Sequence, residues 1–204
     1  MKSTINSYYF QSIAFILLSL LSIATSAQTI IIKGKTVINQ SANYDNVTLD
    51  MSHGYFYVTN NATLSIKNSK INGTISPDNP TLITINNGNL VLDQNSMQVT
   101  AENIPYSPEN ITIYNAIQII QGLISITGNH FTIDKFYRAG FLITASAPIY
   151  SPIIKNNLVE NFNGGIIMQY PTNAYIGNNK FVRVSVGNIF LAAGIKSIIE
   201  NNTF

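Results

Sequence analysis

A six-residue phrase that recurs at nearly even intervals constrains the fold of this chain more than any other sequence feature. The phrase consists of an apolar residue, two small or polar residues, Asn, a variable residue and a large apolar residue. Its clear copies lie at residues 126–131, 153–158, 176–181 and 199–204. Their last residues are 158−131 = 27, 181−158 = 23 and 204−181 = 23 positions apart. Such self-similarity at a fixed period is typical of a stacked repeat architecture.

The segments between the phrases predict β-strands rather than helices. Apolar runs such as residues 140–143, 165–168 and 188–191 are short and flanked by Gly, Asn, Ser or Pro, as strands are. A single repeat cannot bury an apolar face alone, so we expect the repeats to stack and their strands to pair in parallel with the copies above and below. The sequence therefore predicts one all-β domain, residues 28–204, of about seven coils with roughly 23 residues each.

The asparagines of the phrase are predicted to mark one corner of every coil. Asn tolerates a left-handed backbone better than other non-glycine residues, and stacked Asn side chains can form a hydrogen-bonded ladder. The predicted ladder consists of Asn129, Asn156, Asn179 and Asn202.

These motifs resemble those of a known fold family. The Asn-Asn-x-Phe phrase, followed after about ten residues by Gly and two apolar residues, is similar to the repeat of right-handed parallel β-helix proteins, the pectin-lyase-like fold. The resemblance implies a right-handed parallel β-helix over most of the chain. It does not imply one function, because this fold hosts lyases, hydrolases, epimerases and non-catalytic surface proteins. The signature phrases of polygalacturonase-like and alginate-epimerase-like members are absent from the sequence.

Residues 1–27 are predicted to be an export signal. Lys2 precedes an apolar segment at residues 13–24, and Thr-Ser-Ala at residues 25–27 supplies small residues for cleavage. An uncleaved anchor helix is the alternative, although the apolar segment is shorter than the roughly 20 residues that a membrane span needs. We therefore expect a secreted, periplasmic or cell-surface protein whose mature chain has no transmembrane segment.

Composition narrows the choice of partners. The chain has no cysteine, so stability after export has to come from stacking and hydrogen bonds rather than disulfides. Charged residues make up 10% of the chain and the net charge is +2. Because no basic stripe exists to neutralise phosphates, nucleic acid is not an expected partner. A surface rich in amides and hydroxyls suits a polysaccharide or glycan instead.

The sequence also predicts that the solenoid is truncated or covered at its C-terminal end. A β-helix closes its open end with a polar cap, and none is visible before Phe204, the last residue of a repeat phrase. The chain is interpreted as the N-terminal piece of a longer protein, with a partner covering the last coil as the alternative.

The catalytic candidates are Asp134, Lys135 and Arg138, the densest charged group of the mature chain. One carboxylate and two cations could supply a base, a neutralising charge and an anchor for a sugar carboxylate. The alternative is a solvated corner with a local ion pair. One Asp is too few for a calcium cage or for a two-carboxylate hydrolase, which favours the solvated corner. No cofactor is identified and no metal ligand is predicted; calcium stays open as an alternative without support from the sequence.

Two further charged groups have mainly structural interpretations. Glu160 and Arg183 each follow the repeat phrase by two residues, which predicts an ion pair between neighbouring coils. His53 and His130 lie in different coils without ligand partners at metal-like spacing. His130 occupies the variable position of the phrase, so its side chain is expected to point outward.

The glycan-binding candidates are the tyrosines on or beside the corner loops: Tyr106, Tyr150 and Tyr170, with Tyr175 as a further candidate. Exposed aromatic rings can stack on sugar faces, whereas the alternative is that the rings pack on neighbouring prolines.

Three functions remain open from the sequence. The first is an exported β-helix that binds extracellular or cell-envelope polysaccharide without catalysis. The second is the N-terminal part of a polysaccharide lyase, epimerase or glycoside hydrolase. The third is a surface or adhesin-like spacer without a glycan partner.

Overall fold

The computed structural model describes residues 27–102, 114–134, 140–146, 149–185 and 187–204. These residues form β-strands and turns, and none of them lies in a helix. Residues 1–26, which contain most of the predicted export signal, lie outside this range, as do residues 103–113, 135–139, 147–148 and 186. Among the predicted site residues, Tyr106, Lys135 and Arg138 are therefore outside the described residues.

Four long strands supply much of the first half of the fold. They are β1 (Gln28–Ile38), β3 (Val47–Val58), β6 (Thr81–Asp93) and β8 (Tyr114–Thr127). Between and after them lie β2 (Ala42–Asp45), β4 (Thr63–Lys67), β5 (Lys70–Ile75), β7 (Ser96–Ala101), β9 (His130–Ile133) and β10 (Gly140–Ala145). The remaining strands are β11 (Ile149–Tyr150), β12 (Ile153–Lys155), β13 (Leu158–Glu160), β14 (Gly164–Gln169), β15 (Pro171–Thr172), β16 (Tyr175–Gly177), β17 (Lys180–Val182), β18 (Ile189–Ala192) and β19 (Ile198–Glu200).

All of these strands pair in parallel, and most of them belong to one large curled sheet. The pairings define three stacks, which the chain visits in a fixed order. Stack I contains the start of β1, the start of β3, β5, β7, β9, β13 and β17. Stack II contains the ends of β1 and β3, the starts of β6 and β8, β10, β14 and β18. Stack III contains β2, β4, the ends of β6 and β8, β12, β16 and β19.

The core is built from inward-facing columns of apolar side chains, and each stack contributes at least one of them. Strand side chains alternate between the two faces, so in-register pairing places equivalent residues directly above one another. The stack III column is buried from Ile66 to Ile176: Ile66, Leu92, Ile126, Ile154 and Ile176. Stack I supplies Leu49, Ile71, Met97, Phe131, Val159 and Phe181, all of them buried.

Successive visits to one stack are not evenly spaced. Along stack III the most widely separated neighbours are Leu92 and Ile126, 126−92 = 34 positions apart. Ile154 and Ile176 are only 176−154 = 22 positions apart. The period predicted from the repeat phrase therefore holds for the last turns, whereas the turn between Leu92 and Ile126 is longer.

A left-handed corner precedes every entry into stack I from β3 onward. The residue at this corner has a φ between 48° and 68° in seven consecutive turns: Asn46, Asn68, Gln94, Gly128, Asn156, Asn178 and Asn201. Positive φ is disfavoured for residues with a Cβ, and Asn and Gly adopt it most readily. This explains why asparagine recurs at a position that does not face the core.

The next residue supplies a hydrogen-bonded column, here called the asparagine ladder: Asn95, Asn129, Asn157, Asn179 and Asn202. From Asn129 onward, each Oδ1 accepts two hydrogen bonds from the ladder residue of the preceding turn. Asn157 Oδ1, for example, accepts from the backbone N of Asn129 at 2.9 Å and from its Nδ2 at 3.0 Å. Asn157 Nδ2 in turn donates to the carbonyl oxygen of Ile126 at 3.0 Å.

The ladder contains Asn129, Asn179 and Asn202 as predicted, but it contains Asn157 rather than Asn156. Asn156 is exposed and occupies the left-handed corner with φ 57°. The prediction was wrong by one residue because either member of an Asn-Asn pair fits the repeat phrase. Burial decides the register: Ile154 and Val159 face the core, whereas Ile153 is 40% exposed.

The two neighbouring asparagines are expected to respond differently to substitution. Asn157→Ala removes the Oδ1 acceptor of the Asn129 backbone N and the Nδ2 donor to the carbonyl of Ile126, while Asn129 Nδ2 keeps its bonds to the carbonyls of Leu92 and Thr127. We expect this change to lower the free energy of unfolding by roughly 2–4 kcal/mol. Asn156→Gly keeps the left-handed corner and should change it by less than about 0.5 kcal/mol. Urea denaturation followed by circular dichroism measures both. Equal losses for the two variants would contradict the assignment of the ladder.

Candidate functional site

The outer face of stack III carries two parallel columns of side chains. One column is rich in apolar groups and runs in register through Val91, Ser125, Ile153, Tyr175 and Ile198. The other, here called the polar column, runs in register through Asp45, Lys67, Asp93, Thr127, Lys155, Gly177 and Glu200. Neighbouring members of a column are about 4.8 Å apart, because that is the spacing of hydrogen-bonded strands. The face is therefore amphipathic from β6 to β19, whereas in β2 and β4 the first column consists of the polar residues Asn43 and Ser65.

A shallow groove of about 230 Å³ crosses the middle of this face. Its lining comes from both columns: Val91, Ser125 and Ile153 on one side and Asp93, Thr127 and Lys155 on the other. The short side chains of Ser125 and Thr127 leave the space, because the residues one turn above and below them are larger. The groove thus combines an apolar wall with a wall of hydroxyl and charged groups.

In β16 the polar column contains a glycine, Gly177, and the side chain of Tyr175 from the neighbouring column lies over it. A Cβ on Gly177 would lie 2.6 Å from the Tyr175 hydroxyl oxygen, so the ring covers this residue and would have to move if a larger residue replaced it. The hydroxyl donates a hydrogen bond to Glu200 Oε1 at 2.9 Å. The polar column therefore presents a phenol oxygen between the strand of Lys155 and that of Glu200.

The hydrogen bond to Glu200 raises the pKa of Tyr175 above 10.0, with smaller contributions from desolvation and from the negative charge of the carboxylate. The phenol consequently stays protonated and remains a hydrogen-bond donor well above neutral pH. The resulting stabilisation is present below the ordinary tyrosine pKa and is lost as the pH rises through the raised value.

The charges of the polar column alternate in sign. Negative Asp45 is followed by positive Lys67 and negative Asp93, and Lys155 and Glu200 continue the alternation with uncharged groups between them. Among the described residues, neither the Asp93 carboxylate nor the Lys155 ammonium group lies within 4.0 Å of an oppositely charged side chain. Both side chains are half-buried on the walls of the groove.

Two exposed rings, Tyr150 and Tyr170, lie at the corner where the chain enters stack III and are here called the tyrosine edge. Their residues are 63% and 54% exposed. The strand pair β11 and β15 places Tyr150 beside Thr172, so the two tyrosines sit on adjacent turns and two residues apart along the chain direction. Tyr170 has a φ of 53°, which is uncommon for a bulky residue. These two predicted glycan-binding tyrosines are thus accessible to a ligand.

Of the predicted catalytic residues, only Asp134 lies within the described residues, and its carboxylate makes a contact between turns. Asp134 Oδ1 accepts a hydrogen bond from the backbone N of Ala101 at 3.2 Å, which ties the end of β9 to the preceding turn. Lys135 and Arg138 lie outside the described residues, so the proposed catalytic group remains a prediction.

The structure brings together a pair that the sequence did not predict. His130 Nε2 lies 2.6 Å from Glu160 Oε2 on the outer face of stack I, with both side chains partly exposed. The predicted stacking of Glu160 on Arg183 is wrong, because Glu160 pairs in register with Val182 and Arg183 occupies a left-handed corner. The error has the same origin as that at Asn156: a one-residue slip in the repeat phrase moves Glu160 to a different neighbour.

Of the two-column face of stack III, sequence reasoning pointed only to Tyr175 and did not predict the columns. The residues of this face follow no repeated motif, because outward positions are not constrained by the core. The available signal was the register itself: the residue before the left-handed corner belongs to the polar column in every turn, for example Lys67, Asp93 and Lys155.

No group of three or more His, Cys, Asp or Glu side chains in the described part of the chain is arranged to hold a metal ion. A search of the same residues for a helix that could cross a membrane finds none.

Replacing Glu200 should change the titration of Tyr175. Glu200→Gln removes the negative charge beside the phenol, so we expect the pKa of Tyr175 to fall toward the ordinary tyrosine value. Tyrosinate absorbance in the near ultraviolet, compared with that of Tyr175→Phe to identify the signal, measures the shift. Gly177→Ala displaces the ring and should lower the pKa in the same direction, whereas an unchanged titration in both variants would contradict the contact.

The function of the two-column face of stack III has to be inferred from its geometry, because no relative indicates it. Comparison of the chain with protein-family models, with curated proteins and with solved structures finds no match.

Proposed function

We propose that this protein is a right-handed parallel β-helix that binds a linear polysaccharide along the outer face of stack III. Three stacks of parallel strands, visited repeatedly in the same order, support the helical winding. Connections between parallel strands of one sheet are right-handed in about 98% of cases, which supports the hand. The resemblance of the repeat phrase to that of pectin-lyase-like proteins agrees with both.

The observation that carries the proposal is the amphipathic pair of columns on stack III. A sugar ring has an apolar face and an edge of hydroxyl groups, so a glycan chain needs both kinds of contact along its length. Ile153 and Tyr175 supply apolar surface, while Thr127 and Lys155 supply hydrogen-bonding groups one column away. The two columns run side by side from β6 to β19 at about 4.8 Å per turn, which suits an extended polymer.

The tyrosine edge supports the same proposal. Tyr150 precedes Ile153 of the groove by three residues, and Tyr170 precedes Tyr175 by five. Both rings therefore border the stack III face, at the corner where the chain enters it. Large rigid rings give contact area at a low cost in conformational entropy, which favours their use in recognition.

Binding is better supported than hydrolysis at this face. The two nearest carboxylates of the polar column, Asp45 and Asp93, are two strand spacings apart, about 10 Å, and Glu200 is four spacings from Asp93. Paired carboxylates of glycoside hydrolases lie roughly 5–9.5 Å apart. An export role with a secreted or cell-surface location belongs to the same proposal, because the predicted signal at residues 1–27 would bring the protein to extracellular or cell-envelope glycans.

A glycan array tests the proposal. The wild-type protein should bind at least one linear polysaccharide, and Tyr150→Ala and Tyr170→Ala should each weaken that binding about tenfold, since stacking on an aromatic ring contributes on the order of 1–2 kcal/mol.

Phe190→Ala is the matched control, because Phe190 is 56% exposed but lies on the outer face of stack II. Its binding should equal that of the wild type. Absence of glycan binding by the wild type, or equal losses in all three variants, would contradict the proposal and favour a spacer.

A further inference from the structure

We infer that the polar column of stack III selects a zwitterionic glycan, one whose repeat carries both an amino and a carboxylate group. The inference rests on the proposed function and adds to it the chemical class of the ligand. It derives from three features of the face: the alternating charges, the lack of an oppositely charged side chain within 4.0 Å of Asp93 or Lys155 among the described residues, and the groove between them.

The distance between the two charged groove residues determines which charge spacing in a ligand fits the groove. Asp93 and Lys155 are in register with Thr127, one turn below and one turn above it. Two strand spacings place their strands about 10 Å apart. A polymer lying in the groove therefore meets an anion and a cation at this distance, with a hydroxyl group between them, and the best partner carries the opposite charges at a similar separation.

Desolvation disfavours a neutral ligand. Asp93 and Lys155 are half-buried before any ligand binds, and a polymer in the groove removes more of their water. A charged group that loses water without a charged partner is costly, whereas complementary charges in a partly desolvated groove attract strongly. A ligand with an ammonium group near Asp93 and a carboxylate near Lys155 supplies both partners.

The alternation of charge also disfavours uniformly charged polymers. A polyanion laid along the column would gain contacts with Lys67 and Lys155 but would pass Asp45, Asp93 and Glu200. A polycation would meet the reverse pattern. Like charges in contact are a source of specificity against wrong partners, and here they act against both kinds of polyelectrolyte.

Four soluble polymers with a β-1,4-linked backbone of glucosamine or N-acetylglucosamine test the inference. Carboxymethyl chitosan carries both charges, chitosan carries amines, carboxymethyl chitin carries carboxylates, and glycol chitin is neutral. In mildly acidic buffer, which keeps the amines protonated, the wild-type protein should bind carboxymethyl chitosan at least about tenfold more tightly than the other three, because only this polymer offers a charge-assisted contact to both Asp93 and Lys155.

Substitutions of the two charged groove residues test whether they are the source of the selectivity for a zwitterionic polymer. Asp93→Asn and Lys155→Gln should each lower the affinity for carboxymethyl chitosan about tenfold. Asp93→Lys should shift the preference to carboxymethyl chitin, since it gives the groove two cations. Lys70→Gln and Asp78→Asn are matched controls, because both residues are exposed and lie outside stack III. All variants change outward-facing or turn residues, and their urea denaturation midpoints check that the fold is retained.

The outcomes separate this inference from the proposed function. If the four polymers bind equally, or if glycol chitin binds best, the zwitterionic selection is wrong while glycan binding stands. If selectivity is present but unaffected by Asp93→Asn and Lys155→Gln, the groove is not its source and the inference is also overturned. If none of the four polymers and no glycan on the array binds, both the inference and the proposed function fail.

Discussion

The asparagine ladder is the interaction on which the register of the molecule depends. From Asn129 onward, each Oδ1 accepts from the backbone and from the side chain of the asparagine one turn earlier, so it fixes both the height and the rotation of one turn relative to the next. A slip of one residue would move every inward side chain to the outer face. The buried columns ending at Ile176 and Phe181 and the outward groove between Asp93 and Lys155 are therefore consequences of the same alignment.

Much of the fold could be predicted from the sequence because its physical constraints recur. The repeat phrase encodes an apolar residue for stack III, a left-handed corner, a ladder residue and an apolar residue for stack I, and all four requirements reappear in successive turns. This was sufficient for the all-β, all-parallel architecture. The register at Asn156 and Asn157 could not be predicted from the phrase alone, because asparagine satisfies both the corner and the ladder. The core contacts of Ile154 and Val159 decide between them, and these contacts exist only after the turns have stacked.

The candidate site was less predictable for a related reason. Outward residues such as Asp93, Thr127 and Lys155 share no motif, and 62 positions separate the first from the last (155−93 = 62). Their proximity is a property of the winding, which adds turns of unequal length. The tyrosines were found from the sequence because Tyr150 and Tyr170 stand beside prolines in irregular segments. The column of charges beside them required the pairing register.

The unequal turns also bear on how such a chain assembles. The residues that pair across stack III are at most 34 positions apart (126−92 = 34), although the sheet extends over most of the chain. Closing each turn consequently carries a similar and modest loss of chain entropy, and no pairing has to wait for distant segments to meet. A fold with this connectivity can start at any pair of neighbouring turns and grow in both directions, as in other repeat proteins. The turn between Leu92 and Ile126, the longest, is the step that should propagate most slowly.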